Sequence, residues 1–356
     1  MLFAVAHDCE TVADPFTAQL MGMRTLGKAS HDLALKCSRG LQVTMVLCII
    51  TLVTACAVSR ANGQQTVVNS DHSFTLTGDI NHYLWTFSDS CKQAKLLDIF
   101  HVSERSVILR QTHCAHNEAP FMYLLMGDDR ALLIDTGAVT QQNKIDLHAV
   151  VKTLLAQHYS KSSQPPLRII HTHSHSDHTA GDQQFLNQPG IDVIAPSKAA
   201  VRALFPIADW PQGEQIIELG ARQVSVFPGP GHHPEALFFH DSETGWLITG
   251  DTFFPGRISV ENWAAFLDTI KRMAAVSRSR SVTALLGGHI ETRVTAADGK
   301  SQEAALALPP ALLYQVEERL VNNAAKAGKY TFGSLYIEPE GFLQKWLGRT
   351  YRWLNP

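Results

Sequence analysis

The sequence predicts an α/β fold with mixed sheets, and three observations predict it. Short apolar runs bounded by turn residues recur from about Leu96 to Leu286. Segments with helical periodicity alternate with them. Tight turns such as Gly127-Asp-Asp-Arg130 join some neighbouring runs directly, so antiparallel hairpins are mixed with helical crossovers. Strands of this kind need helical cover on both faces of the sheets.

Taken in order, Ser106–Arg110 and Pro120–Met126 read as strands, and the turn at 127–130 leads into a third at Ala131–Asp135. A helix follows, because Leu147, Val150, Val151, Leu154 and Leu155 share one face at the 3.6-residue period. Strand Leu167–Ile170 runs straight into a histidine cluster. Strand Ile191–Ala195 and a helix begun by Ser197 come next. Further strands are expected near 215–219, 223–227, 236–240 and 245–249. The pattern then gives a helix over Val260–Val276 and a buried strand over Val282–Leu286. A last helix starts at Pro309-Pro310 and has a natural stop at Gly328.

The ends of the chain differ from this body. Lys36 and Arg39 precede the apolar stretch Leu41–Ala55, which closes on Cys56. A basic segment, a short apolar run and a small-residue site make a secretory signal. Val53-Thr-Ala-Cys56 resembles a bacterial lipobox, so Cys56 is expected to carry a lipid anchor on an exported, periplasmic or membrane-anchored lipoprotein. A membrane span is the weaker alternative, since the threonines and Gln42 interrupt the run. The stretch before it is long for a signal, which makes Met21 or Met23 an alternative start. The expected organisation is an export segment over 1–56, a polar tether and lead-in over 57–90, a catalytic domain over 91–300 and a C-terminal extension over 301–356. That extension carries Phe332, Tyr336, Phe342, Trp346, Tyr351 and Trp353, aromatics expected to pack back on the body. Cys91 and Cys114 would be permitted to pair in an oxidising compartment; two unpaired small apolar residues are the other reading. Neither is near the chemical motifs in sequence.

The 356 residues carry a net charge of −3. The charges of the first 55 residues cancel, so no strong field for nucleic acid is expected. The partner is therefore expected to be a small molecule.

Chemistry concentrates in His171-Thr-His-Ser-His-Ser-Asp-His178, at the end of a buried strand. In an extended loop His173 and His175 point the same way. Asp177 and His178 lie where a helix would begin and diverge toward a second point. The plain alternative is a solvated, histidine-rich loop. That alternative weakens because three later strands each end on one more ligand type beside glycine: His232 in Pro230-Gly-His-His-Pro234, Asp251 in Thr249-Gly-Asp251, and His289 in Gly287-Gly-His289. Imidazole and carboxylate suit zinc, and also iron or manganese.

In its order this set resembles the metallo-β-lactamase superfamily, over roughly residues 95–295. The H-x-H-x-D-H motif matches His173, His175, Asp177 and His178, and the later family ligands match His232, Asp251 and His289. The resemblance implies an αββα sandwich with two divalent metal ions at one edge, zinc first, with iron or manganese as alternatives. His173, His175 and His232 would hold one ion and Asp177, His178 and His289 the other, with Asp251 bridging. Asp135, in Ile134-Asp-Thr-Gly137, matches a family aspartate that supports the site from outside.

Departures from the pattern narrow the activity. True β-lactamases carry cysteine or serine where Asp251 stands, and flavin-partnered di-iron members carry glutamate where His175 stands. Glyoxalase II and persulfide dioxygenases carry a Gly-Cys-Gly-Arg-like stretch soon after the aspartate; here Thr252-Phe-Phe-Pro-Gly-Arg-Ile258 has no cysteine. Several lactonases have tyrosine where Phe254 stands. His233 replaces a usual threonine; it reads as a surface histidine, with a supporting or substrate-facing role as the alternative. The expected function is a hydrolase in which a hydroxide bridging two metals attacks a carboxylic ester, thioester or lactone, with Asp177 orienting the nucleophile or carrying a proton. The alternatives are phosphoester hydrolysis, or a mononuclear iron dioxygenase using His173, His232 and Asp251. No tyrosine or lysine is evident as an oxyanion donor, which leaves that load to the metals.

Overall fold

A computed structural model describes Ile80, Trp85 and residues 91–341, apart from 93, 143, 160–164, 205–209 and 296–300. The chain divides into two units, Met1–Gln65 and Thr66–Pro356, and every described residue lies in the second. The expected export segment, most of the tether, and Phe342, Trp346, Tyr351 and Trp353 lie outside the described residues.

One six-stranded sheet holds β1 (Leu97–Ser103), β2 (Ser106–Gln111), β3 (Phe121–Met126), β4 (Ala131–Ile134), β5 (Leu167–Ile170) and β6 (Ile191–Val193), in that order. Pairing is antiparallel from β1 to β4 and parallel from β4 to β6. Helix α1 (Leu147–His158) makes the first parallel crossover. The short α2 (Ser176–Thr179) and a 3₁₀ turn (Ala180–Gln184) make the second, and α3 (Lys198–Leu204) follows β6.

The other six-stranded sheet is built around β7 (Gln215–Glu218), β8 (Gln223–Pro228), β9 (Leu237–Asp241) and β10 (Trp246–Gly250), an antiparallel meander. After β11 (Arg257–Val260) and α4 (Trp263–Ser279), strand β12 (Ala284–Gly287) returns parallel to β10. Beyond it lie the hairpin β13 (Arg293–Thr295)–β14 (Ser301–Glu303), edge strand β15 (Ala307–Leu308) and α5 (Pro310–Glu317). Strands β16 (Tyr330–Phe332) and β17 (Leu335–Pro339) close the described chain.

Period-two alternation explains the layers. In β2, Ile108 faces the space between the sheets, where it joins Phe121, Tyr123, Leu132 and Ile170 from its own sheet and Val226, Phe239, Ile248 and Leu286 from the other. Its neighbours Val107 and Leu109 point the opposite way, onto Val150, Val151, Leu154 and Leu155 of α1. On the far side, Phe238, Leu247 and Leu285 pack on Phe266, Ile270 and Met273 of α4 and on Leu313 and Val316 of α5. Both faces of each sheet are thus buried, which is why the strands read as apolar runs rather than as alternating patterns. The layers are helix, sheet, sheet, helix, as the α/β reading expected.

Arg222, in the β7–β8 turn, ties the sheets together at one end. Its side chain is fully buried, donates twice to Asp241 at 2.7 Å, and reaches across to the Arg105 carbonyl (2.7 Å) and Ser106 Oγ (3.0 Å).

Some expected boundaries move. The helix expected from Val260 begins at Trp263, because Val260 pairs with Pro339 in the β11–β17 ladder and the Asn262 side chain caps the Ala265 N–H. The helix expected to run toward Gly328 ends at Glu317 and passes through a π turn over Glu318–Asn322. Residues after 300 are paired into the body: β15 lies against β12, and β17 against β11. Of the C-terminal aromatics, Phe332 is buried and Tyr336 exposed. Cys91 and Cys114 form a disulfide.

Candidate metal centre

The supporting Asp135 and every proposed ligand sit just past the end of a strand, at one edge of the sandwich: Asp135 after β4, the histidine cluster after β5, His232 after β8, Asp251 after β10 and His289 after β12. The chain must come very close to itself there, and two glycines permit it. A Cβ on Gly250 would lie 2.6 Å from the Thr172 Cβ, and one on Gly288 would lie 2.5 Å from Asp251 Oδ1.

The ligand atoms fall into two groups that share Asp251: His173, His175 and His232 in one, Asp177, His178 and His289 in the other. Asp251 Oδ1 is 3.4 Å from both His178 Nε2 and His289 Nε2, while Oδ2 is 3.8 Å from His173 Nε2 and 3.7 Å from His232 Nε2. One carboxylate therefore faces both groups, an oxygen to each.

Hydrogen bonds on the outer nitrogens set the tautomers. His178 Nδ1 donates to Asp135 Oδ2 (2.8 Å), His289 Nδ1 to the Glu118 carbonyl (2.7 Å), and His232 Nδ1 to the Ser259 carbonyl (2.8 Å). His173 Nδ1 lies 3.1 Å from Thr172 Oγ1, whose own proton goes to Asp135 at 2.9 Å. In the neutral rings this leaves inward lone pairs on His173, His178, His232 and His289. His178 Nε2 faces His289 Nε2 at 3.2 Å, and His175 Nδ1 stands 2.9 Å from His173 Nε2 and 3.2 Å from His232 Nε2, where it can donate to only one of the two. Acceptors left facing each other repel unless positive charge sits among them. Asp251 Oδ1 adds to this, being buried with no hydrogen-bond donor. The donor set and its convergence fit divalent cations.

Asp135 supports this arrangement. Its carboxylate also accepts the Thr172 N–H at 2.7 Å, and its backbone is left-handed (φ 66°), a conformation that costs a non-glycine residue about 1–3 kcal/mol. Fully buried, it holds the loop and the His178 tautomer at once.

The two groups differ electrically. Burial pulls His173 well below the ordinary histidine range, and the neighbouring His178 and His175 add to this. Burial also opposes charge on His289, but Asp251 and Asp177 outweigh it and lift that ring to about 10. His178 is raised as well, by Asp177, Asp251 and Asp135 against its burial. Asp177 is pressed far below the carboxylate range by His178 and His289, despite burial, and stays ionised. The carboxylate-rich group thus draws positive charge most strongly.

A family model for the metallo-beta-lactamase superfamily matches residues 118–308. The chain belongs to this superfamily. A hydroxyacylglutathione hydrolase from Anaeromyxobacter dehalogenans (strain 2CP-C) is 34% identical over 134 residues, 38% of this chain and 46% of that protein. An acyl-coenzyme A thioesterase from Homo sapiens is 24% identical over 213 residues, 48% of this chain and 73% of that protein. The chain spans less than half the length of the hydroxyacylglutathione hydrolases it matches. A solved metallo-beta-lactamase from Pontibacter korlensis superposes with a TM-score of 0.41 at 17% identity, covering 64% of this chain and 99% of that one.

All eight site residues expected from the superfamily's pattern are brought together. Sequence reading missed their holders. The Glu118 and Ser259 contacts are made by backbone carbonyls, which carry no residue signature. His233 was expected at the surface, yet it is 3% exposed, because Ser174 and the Glu235 N–H take up its two nitrogens. The only local hint was its place between His232 and Pro234 on a rigid turn. Cys114 is also nearer the chemistry than its sequence position suggests: it lies on the same loop as Glu118, whose carbonyl holds His289. Phe254 sets its ring edgewise to His289 at 5.7 Å and brings no hydroxyl to the site.

Proposed function

We propose that this chain is a dinuclear metallohydrolase that cleaves thioesters and carboxylic esters, lactones included, of small-molecule substrates. The observation that carries this reading is the shared Asp251, with one carboxylate oxygen facing each of two groups of convergent ligand atoms. His173, His175 and His232 would hold one ion, Asp177, His178 and His289 the other, and Asp251 both. Two divalent cations, zinc in the first instance, would supply Lewis acidity and a water acidic enough to act near neutral pH.

The chain's own residues do the rest. Asp177, ionised and partly exposed, would help hold one cation and would orient the incoming water or carry a proton. Tyr123 is not an oxyanion donor, since its hydroxyl is buried and donates to the Gly287 carbonyl at 2.6 Å. The names of the relatives, a hydroxyacylglutathione hydrolase and an acyl-coenzyme A thioesterase, support thioester chemistry. Asp251, where β-lactamases carry cysteine or serine, supports esters and thioesters over lactams.

The Cys91–Cys114 disulfide supports an oxidising compartment, in keeping with export and a lipid anchor at Cys56. An acylated N-terminal Cys56 peptide in the membrane fraction is the result that this placement expects.

Asp251→Ala tests the reading. The variant should keep its circular dichroism, because β10 stays buried, yet lose metal and turnover on a panel of esters, thioesters and lactones. More than about a tenth of wild-type activity would contradict a bridging role.

A further inference from the structure

We propose that His233 is a positioning residue that pre-forms the three-histidine group by gripping Ser174, so that this group binds its cation tightly. The inference rests on the metal-centre reading above.

Three imidazole nitrogens meet in that group, with His175 Nδ1 2.9 Å from His173 Nε2 and 3.2 Å from His232 Nε2, and the carboxylate oxygen that faces it among the described residues, Asp251 Oδ2, stands 3.7–3.8 Å away. The other group has three carboxylates to balance its histidines; this one does not. Before an ion binds, the one proton that His175 Nδ1 can offer satisfies His173 or His232 and not both, so the ligands themselves tie the loop after β5, which carries His173 and His175, only weakly to the loop after β8, which carries His232. Something other than the ligands must hold those loops in register. One tie is a backbone bond, from the Leu237 N–H to the Thr172 carbonyl at 2.7 Å.

The other tie is His233. The Glu235 N–H donates to its Nδ1 at 3.2 Å, which places the ring proton on Nε2, and Nε2 then donates to Ser174 Oγ at 3.0 Å. Ser174 is the residue between His173 and His175, so the grip falls between two ligands. The His233 ring also packs 5.7 Å from His173 and 5.2 Å from His175, at 82° to the latter, which limits their rotation. Prolines 230 and 234 bracket the turn that presents His233 and limit its backbone freedom. Outer groups of this kind typically carry about 10–100-fold in metal affinity.

The test is a zinc titration of the full chain against a chromophoric chelator, for wild type, His233→Ala, Ser174→Ala, the double variant and His233→Gln. Each alanine variant should weaken one of the two zinc-binding steps about 10-fold or more and leave the other unchanged. The double variant should be no weaker than His233→Ala, because the Ser174 bond is already lost in that single variant. Glutamine, whose amide can donate from nearly the Nε2 position, should recover most of the affinity. Circular dichroism checks each fold, and Ser174→Ala alone carries the test if His233→Ala does not fold. Unchanged affinity at both steps in the single variants, additive losses in the double variant, or a glutamine variant as weak as alanine would each overturn the proposal. A wild-type chain that binds no zinc would instead overturn the metal-centre reading itself.

Discussion

Asp135→Asn should selectively weaken the second cation site, and the size of the effect follows from the hydrogen bonds. Asp135 Oδ1 accepts the Thr172 N–H at 2.7 Å, so an asparagine must keep its carbonyl oxygen there. Its amide then faces Thr172 Oγ1 and His178 Nδ1, where the carboxylate accepted at 2.9 and 2.8 Å. Two donors now confront each other, or His178 shifts its proton to Nε2. That nitrogen points at Asp177 and Asp251, where the ion would sit. Setting donor against donor costs about 1–3 kcal/mol, which is about 5- to 150-fold in affinity. The substitution keeps the size of the side chain and its bond to the Thr172 N–H, so the fold should survive. Competition with a chromophoric chelator would resolve the two binding steps. Loss confined to one of the two steps, the one that His233→Ala leaves unchanged, supports the argument. Affinities unchanged from wild type at both steps would refute the claim that Asp135 sets the His178 tautomer.

Two further outcomes concern stability. The Asp241 carboxyl is held below the usual carboxylate range because Arg222 and Thr244 outweigh its burial, so its contribution is full above the unfolded pKa of about 3.9 and fades as pH falls through the folded value. Asp241→Asn should therefore cost about 3–5 kcal/mol at pH 7 in urea unfolding, and flatten the loss of stability below about pH 4; a variant as stable as wild type at neutral pH would contradict the clamp. The Cys91–Cys114 bond closes a loop with a sequence separation of 23, so Cys91→Ser/Cys114→Ser should lose about 3 kcal/mol and become indifferent to reductant. Equal urea midpoints for the variant and the oxidised wild type would argue against that contribution.

The metal centre was more legible in the sequence than the structure that holds it. His173, His175, Asp177 and His178 lie within one short loop, and His232, Asp251 and His289 each follow an apolar run beside glycine, a pattern that side-chain chemistry alone makes conspicuous. The central strands were legible for the same reason, since burial on both faces makes them uniformly apolar. Strands β16 and β17 were not, because β17 pairs with β11 across about eighty residues, β16 only with β17, and mixed residues such as Thr331 and Tyr336 are left facing outward. Arg222 was equally hidden: a buried arginine is indistinguishable in sequence from a solvated one until its carboxylate and its carbonyls arrive from distant strands. His233 belongs with it, since what buries that ring is the convergence of two loops.

Elemental analysis of the full chain, purified without chelator and supplemented with zinc, tests the central claim most directly. Two groups of ligands joined by Asp251 require close to two equivalents of metal per chain, removed by chelator together with thioester hydrolysis and restored with it on adding zinc. Less than about half an equivalent, or full thioester hydrolysis by the metal-stripped chain, would contradict the account.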